Sequence, residues 1–425
     1  MDYNGYIKEM MKSANVEIGD KIEVFFEGKA YRGIVMPKHE FSSENILTLK
    51  LENGYNIGIK LDRNAKISLI EKKEEKKRIE KTLEIKGEYI SMLGTGGTIA
   101  SYVDYRTGAV HPALTADELV FSVPDIKNIC NVKAKVVFSL LSENIKPKHW
   151  QILARAVADE LNNGAKGVVV PHGTDIMAYT SAALSFMLKN LTGPVVLVGA
   201  QRSSDRPSSD AFLNLLSACR VASSDICEVV VVMHENSSDN SCLIHRGTKV
   251  RKMHTSRRDA FKSINSKPIG RVFDDKITFF TDYRKRGEKN VEVMDKVEEK
   301  TALVYFYPAM KVEFFNYLIE NYNGIVIAGS GLGHVSSELI ETIKKHAKSL
   351  PIVMTSQCLY GNVNMKVYSG GRDLIKAGII SGGDMLPETA YVKLMWVLGQ
   401  TKDLGEVKAL MEENIANELS IARCY

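Results

Sequence analysis

Four short stretches of this 425-residue chain carry small polar residues in patterns that suit acyl chemistry. In GEYISMLGTGGTIAS, residues 87–101, the apolar run YISML passes into glycines and hydroxyls, which puts Thr95 and Thr98 forward as reactive groups. In PHGTDIM, Thr174 and Asp175 follow His172 and Gly173, and SLLSENIKP offers Ser142, Glu143 and Asn144. A threonine hydroxyl is a poor nucleophile until a base takes its proton. A buried lysine can act as that base, because desolvation lowers its pKa. GTKVRKMHTSRRDAFKS supplies two such lysines, Lys249 and Lys252. Glycines in these loops let the backbone turn sharply and let another group approach closely.

Each stretch also has a plainer use. GTGGT could be a phosphate-binding turn, although it has neither the dinucleotide G-x-G-x-x-G spacing nor the lysine of a P-loop. His172 before a glycine suits a loop hydrogen bond better than a metal, since no H-x-x-x-H or H-E-x-x-H accompanies it. A Thr-Asp pair after a strand can be no more than a helix cap. What could bring the four together is the architecture around them. GVVVPHGTD, PVVLVGAQR, EVVVVMHEN, GIVIAGSG and PIVMTSQC are apolar runs that end in polar loops. Amphipathic stretches lie between them, such as PKHWQILARAVADELNNG, with proline near its start and glycine just past its end. Continuous apolar strands interleaved with helices predict parallel sheets covered on both faces. In such sheets the carboxyl ends of the strands share one edge, where these loops would converge.

The rest of the chain divides by composition. KIEVFF alternates, and LTLKLENGYNIGIKL turns at Asn53-Gly54 between alternating runs, a strong hairpin signal. Residues 1–72 are therefore expected to form a small antiparallel, barrel-like β domain. The charged run at 73–87 reads as a linker and 88–275 as a first α/β domain. The charged, irregular stretch 276–300 reads as a connector, and 301–425 as a second α/β domain. Six cysteines without a C-x-x-C pair argue against a zinc site or a disulfide framework. A net charge of +5 is only a weak bias toward anionic partners. No apolar run approaches the ~20 residues of a membrane span. MDYNGYIKEMMKSANVEIGD lacks the features of a signal peptide, so a cytoplasmic protein is expected.

GTGGTIAS, HGTDIMAYTSAAL, VLVGAQR and RKMHTSRRDAFKS, taken in order, resemble the bacterial-type L-asparaginase family, and GGDMLPETAYVKLMWVLGQT resembles its closing helix. The resemblance runs from about residue 88 to the end. It implies that Thr95 is the nucleophile, that Thr174, Asp175 and Lys252 handle protons, and that the family's lysine is Lys252 and not Lys249. It also implies that Ser142 and Glu143 hold the α-carboxylate and α-amine of the substrate, with Gly96 and Gly173 lining it. The family chemistry is deamidation through an acyl-enzyme, without a metal or other cofactor. In RTGAVHP, Ala109 stands where the family has its mobile-loop tyrosine, so Tyr102 and Tyr105 become the candidates to assist Thr95.

The N-terminal β module, DYRTGAVHPALTADEL and GAQRSSDRPSSD together resemble the family of D-type subunits of archaeal glutamyl-tRNA(Gln) amidotransferases. That resemblance implies an amidase that frees ammonia from glutamine or asparagine for a partner, the E-type subunit, which would use ATP and Mg2+ on Glu-tRNA(Gln). It implies a heterodimer, or a dimer of heterodimers built on a homodimer of the asparaginase-like body. A free L-asparaginase with an added β domain and a catalytically inactive RNA-binding scaffold are the other readings. The first would hydrolyse asparagine efficiently alone, and the second has no need of Thr95, Thr174, Asp175 and Lys252. For the β module, Lys29, Arg32 and Lys38 are the charges available for docking.

Overall fold

The computed structural model describes residues 3, 5–38, 43–51, 56–72, 87–96, 101–103, 110–112, 124–202, 209–287 and 289–420. Thr98, Tyr105, Ala109, the Asn53-Gly54 turn and most of the charged linker lie outside the described residues, as does the side chain of Tyr102.

The N-terminal unit is a five-stranded antiparallel sheet of Lys21–Phe26, Lys29–Val35, Ile46–Leu51, Asn56–Lys60 and Lys66–Glu71. Successive side chains of a strand face opposite sides. The alternation read in the sequence therefore buries Ile22 and Val24 from one strand against Leu47 and Leu49 from another. Helix Gly5–Ser13 closes this small core with Ile7 and Met11.

The body begins with an eight-stranded sheet. Its order is Lys276–Phe279, Gly270–Phe273, Ser241–Arg246, Val229–His234, Val195–Val198, Val168–Pro171, Tyr89–Gly94 and Asn131–Val136. The strands from Val229–His234 to Asn131–Val136 are parallel. The central ones carry unbroken valines because both of their faces are covered. Val168 and Val170 face helices Pro147–Asn162 and Met177–Met187, whereas Val169 faces helix Ala211–Ala222. Lys276–Phe279 extends this sheet as the edge strand of a hairpin, within the stretch whose charge pattern reads as a connector.

A second, four-stranded parallel sheet follows, in the order Thr301–Tyr305, Gly324–Gly329, Ile352–Ser356 and Ile380–Ser381. Helices Val312–Asn321, Ser337–His346 and Ser369–Ala377 pack on one face of it. Helix Pro387–Gln400 covers the other face and reaches the first domain, where Trp396 stacks on Phe186 with ring centroids 6.0 Å apart. The two α/β domains therefore share one continuous apolar core, and burial of that surface opposes their separation. Among the described residues no helix is long and apolar enough to cross a membrane.

Candidate active site

The loops that leave the carboxyl ends of the parallel strands meet at one edge of the eight-stranded sheet. Thr95 directly follows strand Tyr89–Gly94 and is 1% exposed. Its backbone N–H donates to the carbonyl of Pro171 at 3.2 Å, and its Oγ1 donates to the same oxygen at 2.8 Å. The nucleophile candidate is therefore tied to the last residue of the neighbouring strand, the point from which the His172–Asp175 loop departs. Among the described residues no hydrogen bond joins Thr95 to Thr174 or Lys252.

The glycines bring the backbones together. Gly96 has φ of +104°, and a Cβ there would stand 2.4 Å from the carbonyl oxygen of Leu140. A Cβ on Gly173 would stand 2.7 Å from Cβ of Ser142. Real carbon atoms do not approach so closely, so these two contacts press the three loops against one another. Ser142 is buried and Glu143 is exposed beside it, in a single turn of 3-10 helix, Ser142–Asn144.

Lys252 comes from a part of the chain that its local sequence does not place. Val250–Lys252 pairs with Phe261–Ser263 as a short antiparallel hairpin. Lys252 Nζ donates to Thr174 Oγ1 at 2.9 Å and to Asp175 Oδ1 at 2.6 Å. An oxygen that accepts from an ammonium must give its own proton to something else. The Thr174 hydroxyl is thus free to donate toward a third group. Neither Thr174 nor Asp175 acts as a helix cap, because the helix that follows has Ile176 at its N-cap and no side-chain capping bond.

Lys249 is used differently. Its ammonium is buried against Asp384 Oδ2 at 2.6 Å, and Ser420 Oγ lies 3.4 Å from the ammonium. Burial lowers the pKa of Lys249, and Asp384 opposes that shift. The structure therefore sets the two lysines apart, one at the loop edge and one in the interior.

His172 is wholly buried, and its Nδ1 lies 2.6 Å from the carbonyl of Gly173, so Nδ1 carries the proton. Burial pushes its pKa down to about 4. It supports the loop as a neutral group. The loop at 199–202 is held by buried Asp210, which accepts from the N–H groups of Gln201 and Arg202 and from Asn214 Nδ2. Among the described residues no group of three His, Cys, Asp or Glu side chains is placed to hold a metal.

Sequence reasoning missed the Pro171 carbonyl, because a main-chain acceptor has no residue signature. It also missed Asp384 and Ser420, the partners of Lys249, which lie far along the chain. Asp384 falls within the GGDMLPETAY stretch that carried the resemblance, and that was the one signal available.

Comparison with known proteins gives a consistent result. Three family models match the chain: "GatD N-terminal domain" over residues 16–70, "Asparaginase, N-terminal" over 89–285, and "Glutaminase/Asparaginase C-terminal domain" over 300–411. Among curated relatives, the D-type subunit of the glutamyl-tRNA(Gln) amidotransferase of Pyrococcus furiosus is 54% identical, covering 97% of both chains. The protein of the same name from Methanothermobacter thermautotrophicus is 49% identical over 99% of this chain and 98% of its own. Among solved structures, the thermostable L-asparaginase of Thermococcus kodakarensis is 34% identical with a TM-score of 0.72. All of that enzyme is matched by 79% of this chain. L-asparaginase I of Vibrio cholerae is 28% identical with a TM-score of 0.68, matching 79% of this chain and 99% of its own.

Proposed function

This chain belongs to the family of D-type subunits of glutamyl-tRNA(Gln) amidotransferases, and from that premise we propose how its residues divide the work. The chain is the amidase subunit of a tRNA-dependent amidotransferase and frees ammonia from an amide donor. The observation that supports the site assignment is the bond from Lys252 Nζ to Thr174 Oγ1 and Asp175 Oδ1, at the same sheet edge as buried Thr95.

In this reading the donor is glutamine or asparagine. Thr95 Oγ bonds to the carboxamide carbon, and N–H groups of the loops around Gly96 and Gly173 stabilise the oxyanion. The Thr95 proton passes to the leaving nitrogen through Thr174, Lys252 and Asp175. The carbon–nitrogen bond breaks and ammonia departs, leaving an ester on Thr95. Water then attacks the ester, the side-chain carboxylic acid is released, and the Thr95 hydroxyl is restored. Ser142 and Glu143 hold the donor's α-carboxylate and α-amine. Tyr102 or Tyr105 assists Thr95.

The chain needs no cofactor of its own. Ammonia passes to the E-type subunit, which activates the glutamate of Glu-tRNA(Gln) with ATP and Mg2+. Two such heterodimers associate through the asparaginase-like body, and the complex works in the cytoplasm. Lys29 and Lys38 of the β domain provide docking charge, while Arg32 forms an ion pair with Glu23.

Ammonium rescue tests this division. In the assembled complex, Thr174→Val or Asp175→Asn should stop glutamine-dependent synthesis of Gln-tRNA(Gln), yet full synthesis should return when an ammonium salt is added. Failure of rescue in a complex that still assembles would count against it. Efficient asparagine hydrolysis by the isolated chain, unchanged by partner and tRNA, would favour a free asparaginase.

A further inference from the structure

The strand that carries Lys252 is held from behind by the C-terminal α/β domain. Neighbouring side chains of a strand point to opposite sides. Lys252 faces Thr174 and Asp175, whereas Arg251 Nη1 lies 2.8 Å from Glu388 Oε1. Glu388 sits in the first turn of helix Pro387–Gln400, and the next residue, Thr389, donates its hydroxyl to the backbone carbonyl of Thr248 at 2.9 Å. Thr248 Oγ1 in turn donates to the Ala416 carbonyl at 3.0 Å. One helix turn thus grips the Lys252 segment through a side-chain ion pair and through its backbone.

The Glu388 carboxylate is placed where a purely structural role would not favour it. It is 8% exposed, and its second oxygen, Oε2, is buried without a hydrogen-bond partner in the structure. A buried charge with an unmet acceptor costs stability, and an apolar residue of similar size could fill the same space without that cost. Burial, and after it the nearby Glu388 carboxylate, raises the phenol pKa values of Tyr179 and Tyr305, so Glu388 has phenolic side chains as neighbours. What the ion pair supplies, and an apolar contact would not, is a directional hold on the residue adjacent to Lys252.

We propose that Arg251 and Glu388 are positioning residues for the amidase reaction, whose ion pair fixes the Val250–Lys252 strand so that Lys252 meets Thr174 and Asp175. The proposal rests on the proton-handling role given to Lys252 above. It makes the C-terminal domain part of the active-site scaffold, although it provides none of the residues assigned to the reaction. A misplacement of order 1 Å in a group that moves protons can cost about 10²-fold in rate.

The test is a double-mutant cycle on glutamine-dependent ammonia release in the assembled amidotransferase, using Arg251→Met, Glu388→Met and both together, with Glu388→Gln as the conservative variant. Each methionine single variant should lower kcat roughly 10- to 100-fold while KM changes less than about 3-fold. The double variant should be no worse than the worse single, because the two act as one unit. Glu388→Gln should keep more activity than Glu388→Met, since the amide oxygen still accepts from Arg251. An unchanged kcat with only a lower melting temperature would overturn the proposal, and so would losses that multiply in the double variant. Should Glu388→Met fail to fold, Glu388→Gln and Arg251→Met carry the same comparison. Lys252→Met is measured beside them. Full activity in that variant removes the role assigned to Lys252 itself, whereas an inactive Lys252→Met beside fully active Arg251 and Glu388 variants removes only the positioning.

Discussion

Replacing Thr95 with valine separates its part in the fold from its part in the reaction. The side chain is 1% exposed and valine has nearly the same shape, so no cavity opens. What disappears is one hydrogen bond, from Oγ1 to the Pro171 carbonyl at 2.8 Å. That carbonyl is not orphaned, because it still accepts the Thr95 backbone N–H at 3.2 Å. The loss should therefore cost about 1 kcal/mol of stability, typical of a net hydrogen bond. With Thr95 as the proposed nucleophile, the expected fall in rate is about 10⁴-fold or more, which corresponds to at least ~5 kcal/mol of transition-state stabilisation. Ammonia release from glutamine and from asparagine, measured beside a thermal unfolding curve, compares the two magnitudes. The expected variant melts within a few degrees of the parent and releases no ammonia above background. Activity within tenfold of the parent would refute the assignment of Thr95. A loss of activity that tracks the unfolded fraction would show the hydroxyl to be structural instead.

Three further outcomes are expected. Lys252→Met should abolish hydrolysis, whereas Lys249→Met should leave a folded fraction that still hydrolyses its substrate. The second variant should lose about 3 kcal/mol of stability from the Asp384 charge left without its cation, and reversed effects on activity would exchange the roles of the two lysines. His172 has its pKa depressed from 6.5 to about 4, so the folded protein resists protonation there and the unfolded chain does not. Its contribution is fully present above pH ~6.5 and declines by up to about 3 kcal/mol as the pH falls toward ~4. Urea unfolding of the parent and of His172→Gln across that range should show a weaker pH dependence in the variant, and equal slopes would disprove the attribution. A chain that starts at Lys81 should keep the amidase activity of the isolated protein but lose tRNA-dependent turnover with the E-type subunit. Undiminished coupled turnover would show that the β domain is dispensable for coupling.

The sequence by itself determined most of the elements and put forward the residues of the proposed site. Short valine runs bounded by turn residues predicted strands covered on both faces, and the alternation in KIEVFF, with the two-residue period of a strand, predicted a half-buried one. Thr95 and Thr174–Asp175 were legible as candidates because they follow such strands closely, where local pattern and position at the edge coincide. The hairpin ending in Lys276–Phe279 was not legible. Its turn is Asp274-Asp275, with φ of +41° and +67°, in place of a glycine-bearing pair, and its charged residues resemble those of a linker. The tertiary structure decided which groups Lys249 and Lys252 each meet. The two lie on one short segment with similar neighbours, and it was the resemblance carried by RKMHTSRRDAFKS, not their own surroundings, that singled out Lys252. Lys249 is turned inward to Asp384, 135 residues away, while Lys252 reaches Asp175 at the sheet edge, 77 residues away. Which distant group each side chain meets is set by tertiary packing, within the first α/β domain for Lys252 and between the two domains for Lys249.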